Sequence, residues 1–128
     1  MELPASFPFS RLKVPSDERV LWHGSNPTFH RFFDYGIVLS DKALYLFGPA
    51  WVIGRWKRVP VDLIEHVEAS RSLGQTMVTF HTAARVWRFH TPHDSYRDEM
   101  DFDAGVVQKL LGKLVESNAS IKVRGNVT

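Results

Sequence analysis

Two apolar runs separated by a short polar segment dominate the middle of the chain, in the stretch YGIVLSDKALYLFG at residues 35–48. So many neighbouring β-forming residues around a Ser-Asp-Lys sequence predict a β-hairpin that turns at residues 40–43. Its register places four large apolar side chains on one face, namely Ile37, Leu39, Leu44 and Leu46. Val38 and Tyr45 then lie on the opposite face. This hairpin indicates a β-rich fold.

Similar patterns continue along the chain on both sides of the hairpin. Three stretches are typical of strands: ERVLWHGS (18–25), WVIGRWKRVP (51–60) and DLIEHVEAS (62–70). Because proline cannot donate a backbone hydrogen bond, Pro60 is expected to close its strand. We expect that strand to pair with the next one, which begins near Asp62.

A second hairpin is predicted from the segments QTMVTFHT and RVWRFHT, which Ala83 and Ala84 separate. Their alternation places Phe80 opposite Trp87. It likewise places Val78 opposite Phe89, and we expect the three aromatic residues of these two pairs to lie in the core. The outer face of this hairpin is then formed by Met77, Thr79, His81, Arg88 and His90.

Helical spacing replaces the strand pattern near the end of the chain, in DAGVVQKLLGKLVES at residues 103–117. Asp103 is the expected N-cap. The apolar face is formed by Val107, Leu110, Leu111, Leu114 and Val115. Seven antiparallel strands followed by one helix predict a mainly β (α+β) fold, either a small barrel or an orthogonal sandwich, with the helix plugging its open end.

The length of 128 residues fits one domain, predicted at 18–117, between an N-terminal segment (1–17) and a C-terminal tail (118–128). Prolines at three positions predict that the N-terminal segment is extended, and its aromatic residues are expected to dock it onto the domain. The chain has no cysteine, no run of apolar residues long enough to cross a membrane, and no leader-like start. We therefore expect a soluble cytoplasmic protein.

The segments ERVLWHG, IVLSDKALYLF and KRVPVDLIEHVE, taken in order, resemble the bacterial pleckstrin-homology-like and GRAM-type domains over residues 18–115. In those domains a strand ending in Ser/Thr-Asp precedes an apolar-Tyr strand, and a proline then leads into an Ile-x-x-Val strand. The resemblance implies a seven-stranded barrel with three loops clustered at the end opposite the helix. Lipid-binding relatives hold phosphates there, so that the implied ligand-binding residues are His30, Arg31, Arg55, Lys57, Arg58 and Arg85.

Several function classes lack support in the sequence. The net charge of +2 is too small to predict nucleic-acid binding. No serine has the flanking glycines of a nucleophile elbow, and the glycines are scattered singly, which argues against a phosphate-cradling loop. His90 and His93 could pass for a metal pair, but Pro92 breaks any helix that would align them. We expect no enzymatic activity, no cofactor and no metal.

Two hypotheses for function remain. In the first, the chain is an adaptor whose basic rim contacts an anionic surface, either lipid headgroups or an acidic protein segment, with peripheral membrane contact at most. The alternative is a homo-oligomeric assembly module that pairs through a sheet edge or an outer hairpin face. A metal enzyme built on three histidines, His81, His90 and His93, is a remote third reading. Three aromatics, Phe32, Trp51 and Trp56, fit either the core or a membrane interface.

Overall fold

Eight β-strands and one α-helix form the regular structure in the computed structural model, which describes residues 1–25, 35–47, 55–72, 75–90 and 97–125. The strands are β1 (Val20–Ser25), β2 (Gly36–Ser40), β3 (Ala43–Phe47), β4 (Lys57–Pro60), β5 (Ile64–Ser72), β6 (Gln75–Thr82), β7 (Val86–His90) and β8 (Lys122–Gly125). Helix α1 spans Arg97–Ser117. The strands form two four-stranded sheets, so the fold is a mainly β sandwich with one helix.

The first sheet has the strand order β1-β2-β3-β4, and each neighbouring pair is antiparallel. The hairpin predicted at its centre is confirmed. Ile37 pairs with Leu46, and Leu39 pairs with Leu44. Every residue of β2 and β3 is buried, which means that both faces of this hairpin are covered.

The second sheet has the order β7-β6-β5-β8, with β8 parallel to β5 and the other pairs antiparallel. The predicted pairs Phe80–Trp87 and Val78–Phe89 are both present. Three of these side chains are buried in the core, whereas Trp87 is half-buried and packs against its margin. The position of Trp87 at the margin leaves part of its ring available to other groups.

The prediction of a mainly β fold with one helix is confirmed. Of the two predicted forms, a barrel or a sandwich, the closed seven-stranded barrel is wrong for the described part of the chain, where eight strands form two separate sheets. The strand that ends at Pro60 also pairs back with β3 and not with β5. A 3-10 turn at Val61–Leu63 follows Pro60 directly and carries the chain from the first sheet into the second. The eighth strand, β8, lies within residues 118–128, the segment predicted to be a tail.

Helix α1 begins at Arg97, six residues before the predicted start, so Asp103 lies inside the helix and is not its N-cap. Two acidic residues, Asp98 and Glu99, directly follow Arg97, and negative charge in the first turn favours a helix start because of the helix dipole. The helix buries Ala104, Val106, Val107, Leu110 and Leu114 against the sheets. Leu111 is half-buried and Val115 is exposed, contrary to the expected apolar face.

The N-terminal segment covers the outer face of the first sheet. Phe9 is buried there and packs against His23 and Trp56. Phe9, Val38 and Tyr45 belong to a second hydrophobic cluster, separate from the core between the sheets, and Trp56 packs against it. Docking of this segment through its aromatic residues was expected from the sequence. No helix in the described ranges combines the length and apolar character that crossing a membrane requires.

Candidate functional site

Two basic side chains lie over the ring of Trp87. The Nζ atom of Lys57 is 5.7 Å from the ring centroid, and the guanidinium carbon of Arg85 is 5.2 Å from it. A cation at such distances is attracted to the aromatic face, and each contact is worth about 0.5–1 kcal/mol at an exposed site. The ring therefore holds two positive charges together at one edge of the sandwich.

Strand alternation explains why Lys57 and Trp87 meet. Lys57 pairs with Leu46, a core-facing residue, so its side chain starts from the inner face of the first sheet. Trp87 pairs with the buried Phe80 and starts from the inner face of the second sheet. Since β4 and β7 are the last strands of their sheets, the two side chains meet where the edges of the sheets approach each other.

The turn before β7 fixes the backbone of Arg85. The carbonyl oxygen of Arg85 accepts hydrogen bonds from the Thr82 amide at 3.0 Å and from the Thr82 hydroxyl at 2.8 Å. The Arg85 amide in turn donates to the Thr82 hydroxyl oxygen at 3.1 Å. Arg85 and Trp87 are two residues apart in an extended segment, which places their side chains on the same side.

A shallow groove of about 280 Å³ lies beside these contacts, lined by Lys57, Val86, Trp87 and Arg88. Val86 is 50% exposed. Arg85 and Arg88 are exposed as well, and within the described part of the chain neither forms an ion pair with a carboxylate. Val86 and Arg88 alternate with Trp87 along the edge strand β7, so they line the groove from the outer face of the sheet. We call the five residues Lys57, Arg85, Val86, Trp87 and Arg88 the Trp87 surface. It combines three positive charges with exposed apolar area.

Arg58, the residue next to Lys57, points to the opposite face of the first sheet. Its Nε atom donates a hydrogen bond to the Tyr45 hydroxyl at 3.3 Å, and a terminal nitrogen lies 3.3 Å from a carboxylate oxygen of Glu18. The sequence placed Arg58 and Lys57 in the same ligand-binding set. In the structure the two cations serve different surfaces, because successive residues of a strand face opposite ways.

The carboxylate of Glu18 is at the centre of a polar cluster on that opposite face. It accepts hydrogen bonds from the Ser40 hydroxyl at 2.6 Å and from the Tyr45 hydroxyl at 2.8 Å, and its side chain is 2% exposed. Burial is the largest single influence and raises the pKa of Glu18. The hydrogen bonds and the Arg58 charge together outweigh it, so that the pKa lies below its ordinary value of 4.5.

A wider cleft of about 500 Å³ adjoins this cluster and is lined by Asp41, Lys42, Arg58, Pro60, Val61, Asp62, Ser117 and Asn118. Its two cations already have anionic partners: Lys42 lies 2.9 Å from Asp17, and Arg58 contacts Glu18. Two aspartates line it as well. The carboxylates of this cleft therefore balance its positive charges, which disfavours an anionic ligand there.

Three members of the predicted ligand-binding set remain, namely His30, Arg31 and Arg55, as do the three aromatics predicted for either the core or a membrane interface, Phe32, Trp51 and Trp56. Arg55 is exposed and lies two residues before Lys57. His30 and Arg31 lie outside the described residues, as do Phe32 and Trp51. Trp56 is packed within the protein: it contacts Phe9 in the second hydrophobic cluster, and its indole N–H donates to the Pro8 carbonyl at 3.0 Å.

Sequence reasoning assigned Trp87 to the core and did not connect it with the basic residues. Trp87 is two residues after Arg85 in the sequence, and alternation along a predicted strand places two such residues on one face. The approach of Lys57 could not be predicted, because it depends on how the two sheets are arranged. Across the described residues, the structure thus brings together two members of the predicted set, Lys57 and Arg85, on a ring that was not part of it.

Comparison with models of known protein families gives no match. No curated protein matches the sequence either. Among solved structures, the fold is similar to that described as the hSac2 domain from the human phosphoinositide phosphatase Sac2, with a TM-score of 0.59 and 14% sequence identity. The match covers 86% of this chain and 78% of the hSac2 chain. At this identity the likeness concerns the fold alone.

Proposed function

We propose that this chain is a non-enzymatic, pleckstrin-homology-like binding module that works in the cytoplasm, and that its Trp87 surface contacts the anionic headgroups of a lipid bilayer. The observation that carries the proposal is the placement of Lys57 and Arg85 over the ring of Trp87. Arg88 lines the groove beside them and adds a third positive charge.

Lipid headgroups are favoured over an acidic protein segment because the surface mixes charge with apolar area. Val86 is 50% exposed and lines the same groove as Trp87. Tryptophan is favoured at the boundary between headgroups and acyl chains, and arginine and lysine side chains can keep their charge in the headgroup layer while their stems contact apolar groups. An acidic peptide would use the charges but would gain less from the exposed valine.

The expected binding is weak and depends on salt. Each basic residue near an anionic bilayer contributes about 1 kcal/mol, and the attraction decays over a Debye length of about 8 Å at physiological ionic strength. Three such residues support reversible peripheral contact with little selectivity among acidic lipids. The similar hSac2 fold belongs to a protein named as a phosphoinositide phosphatase, which is compatible with this proposal.

Sedimentation with vesicles tests the proposal. The full chain is mixed with vesicles rich in phosphatidylserine or made of phosphatidylcholine alone, at low and at high salt. The double variant Lys57→Ser/Arg85→Ser removes two charges from the Trp87 surface. The control Lys122→Ser/Arg124→Ser removes the same charge from exposed positions on β8. We expect the wild type and the control to sediment with the acidic vesicles at low salt, and the Lys57/Arg85 variant to remain in solution.

Two outcomes would contradict the lipid proposal. Equal sedimentation of both double variants would mean that total positive charge, and not the Trp87 surface, drives binding. If the wild type sediments with no vesicle but is retained on immobilised poly-glutamate, and the Lys57/Arg85 variant is not, the partner is an acidic protein segment. Circular dichroism of each variant confirms that the fold is intact.

Self-association through a sheet edge is the second candidate. β8 is the last strand of the second sheet, all four of its residues are exposed, and among them Val123 is an apolar side chain. Lys122 and Arg124 flank Val123, however, and charged residues on an edge strand oppose pairing with another copy. Light scattering distinguishes a monomer from a homo-oligomer, and we expect the mass of a monomer.

A further inference from the structure

Three potential metal ligands lie together on the outer face of the second sheet, away from the Trp87 surface. His66 and Glu68 alternate along β5, and His81 is the cross-strand partner of His66 on β6. One ligand atom from each of these residues lies within 4.8 Å of the other two. The neighbouring residues of β5 and β6 face the core, so alternation places all three side chains on one side.

The contacts within this group are too long for hydrogen bonds. One carboxylate oxygen of Glu68 is 3.7 Å from Nε2 of His66 and 3.6 Å from Nε2 of His81. The two imidazole rings are stacked with centroids 4.0 Å apart. Nε2 of His81 is buried and has no hydrogen-bond partner, although buried polar atoms are nearly always paired. A single ion bound between the three ligand atoms would satisfy all three groups at once.

A divalent metal ion fits the two Glu68 separations, once the stacked imidazole rings turn so that both Nε2 lone pairs point at the ion. Two ligands at about 2.1 Å from a tetrahedral zinc ion lie about 3.4 Å apart, which is within a few tenths of an ångström of both Glu68 distances. Two histidines and one glutamate also form a known zinc ligand set, with water in the fourth position. The side chains of His66, Glu68 and His81 are 29%, 50% and 26% exposed, so water can reach the group.

We propose that His66, Glu68 and His81 form a binding site for a divalent transition-metal ion, with zinc as the reference ion. Such a site would join β5 to β6 through side chains in addition to the backbone ladder. Two cations flank it, because the register of β8 places Lys122 beside His66 and Arg124 beside Glu68. Their repulsion lowers the affinity for a cation, and Lys122→Gln should therefore bind zinc more tightly than the wild type.

The test is calorimetric titration of the full chain, made without a histidine tag, with zinc chloride. The double variant His66→Gln/His81→Gln removes two of the three ligands while keeping polar side chains. Two controls remove other histidines: His90→Gln/His93→Gln, the pair singled out in the sequence, and His23→Gln, which packs against Phe9 on the first sheet. We expect one zinc per chain for the wild type and both controls, and no binding by the His66/His81 variant.

Glu68→Gln and cobalt provide a second measurement that does not depend on how well the double variant folds. Glu68→Gln should weaken zinc binding by more than about tenfold, since changes around a metal site usually reduce affinity by about that factor or more. Co²⁺ bound to the wild type should give the intense visible absorption of a tetrahedral site. Zinc should also raise the melting temperature of the wild type but not of Glu68→Gln. Absence of zinc binding, or loss of binding in either histidine control, would overturn the proposal.

Discussion

The Tyr45 hydroxyl donates a hydrogen bond to Glu18, a residue 27 positions earlier, and lies 2.8 Å and 2.9 Å from its two carboxylate oxygens. This contact ties Glu18, the residue that directly follows the N-terminal segment, to the centre of the first sheet. Ser40, which is fully buried, donates to the same carboxylate at 2.6 Å. The cluster explains how a charged residue can be placed almost entirely out of contact with water on the outer face of a sheet.

Glu18→Gln should lower the free energy of unfolding by about 1.5–3 kcal/mol, the usual contribution of hydrogen bonds to a charged group. The amide has the shape of the carboxylate but can offer only one acceptor oxygen to Ser40 and Tyr45. Urea denaturation measures the change. A double-mutant cycle with Ser40→Ala should give a coupling of at least about 0.5 kcal/mol, and strictly additive losses would mean that the two groups act independently.

The stability that Glu18 provides should depend on pH. Its pKa is lowered in the folded state from the ordinary value of 4.5, so the stabilisation is fully present above 4.5 and is lost as the pH falls through the folded-state pKa. The difference in unfolding free energy between wild type and Glu18→Gln should therefore be constant near neutral pH and shrink in acid. Urea titrations between about pH 3 and pH 7 measure it. A difference that grows in acid would show that the pKa is raised.

Leu110 is fully buried on the inner face of α1, and Leu110→Ala should lower the free energy of unfolding by about 2–5 kcal/mol. Val115 on the same helix is 41% exposed, so Val115→Ala is the matched control and should change stability by less than about 0.5 kcal/mol. Thermal unfolding followed by circular dichroism compares the two. Similar melting temperatures for both variants would mean that the helix is peripheral.

The hairpins could be predicted from the sequence because their information is local. Period-two alternation fixes which residues face the core, and a short turn then fixes the register, as for Leu39 with Leu44 and Phe80 with Trp87. The change of sheet after Pro60 could not be predicted this way. Alternation does not tell which sheet a strand joins, and the chain changes sheets within the 3-10 turn Val61–Leu63.

The group formed by His66, Glu68 and His81 was missed for the same reason, because alternation does not tell which strands pair. The sequence directed attention to His81 and His90 as neighbours on one hairpin. The cross-strand partner of His81 on β5 is His66, and this pairing was missed because β5 had been assigned to the strand ending at Pro60. Once β5 is paired with β6, the alternation of residues along the two strands places His66, Glu68 and His81 on one face. The separation of Lys57 from Arg58, in contrast, follows from alternation and was open to prediction.

Gly125 ends β8 with a positive φ of 87°, a conformation that side chains other than glycine rarely adopt. A Cβ atom there would also collide with the backbone carbonyl of Ala69, its partner on β5. Gly125→Ala should therefore destabilise the protein by about 1–2 kcal/mol or more and reduce the hydrogen-exchange protection of β8.

Gly112 provides the control for this substitution. It lies on the exposed side of α1, and a Cβ atom added there meets no other atom. Gly112→Ala should stabilise the protein by up to about 1 kcal/mol, because alanine is the better helix former. Unchanged stability and protection in Gly125→Ala would mean that β8 is not held against β5 in solution.

Lys57 and Arg58 are adjacent cations on opposite faces of β4, and their single variants should differ in membrane binding. Lys57→Ser should reduce the partitioning onto phosphatidylserine vesicles about fivefold, the equivalent of about 1 kcal/mol. Arg58→Ser should leave partitioning close to that of the wild type. It should lower the unfolding free energy, because the contacts of Arg58 with Glu18 and Tyr45 are lost. The expected loss is only about 0.5–1 kcal/mol, since Arg58 is half-exposed. Both variants lose one positive charge, so equal losses of partitioning would show that the vesicles respond to net charge and that the Trp87 surface has no special role.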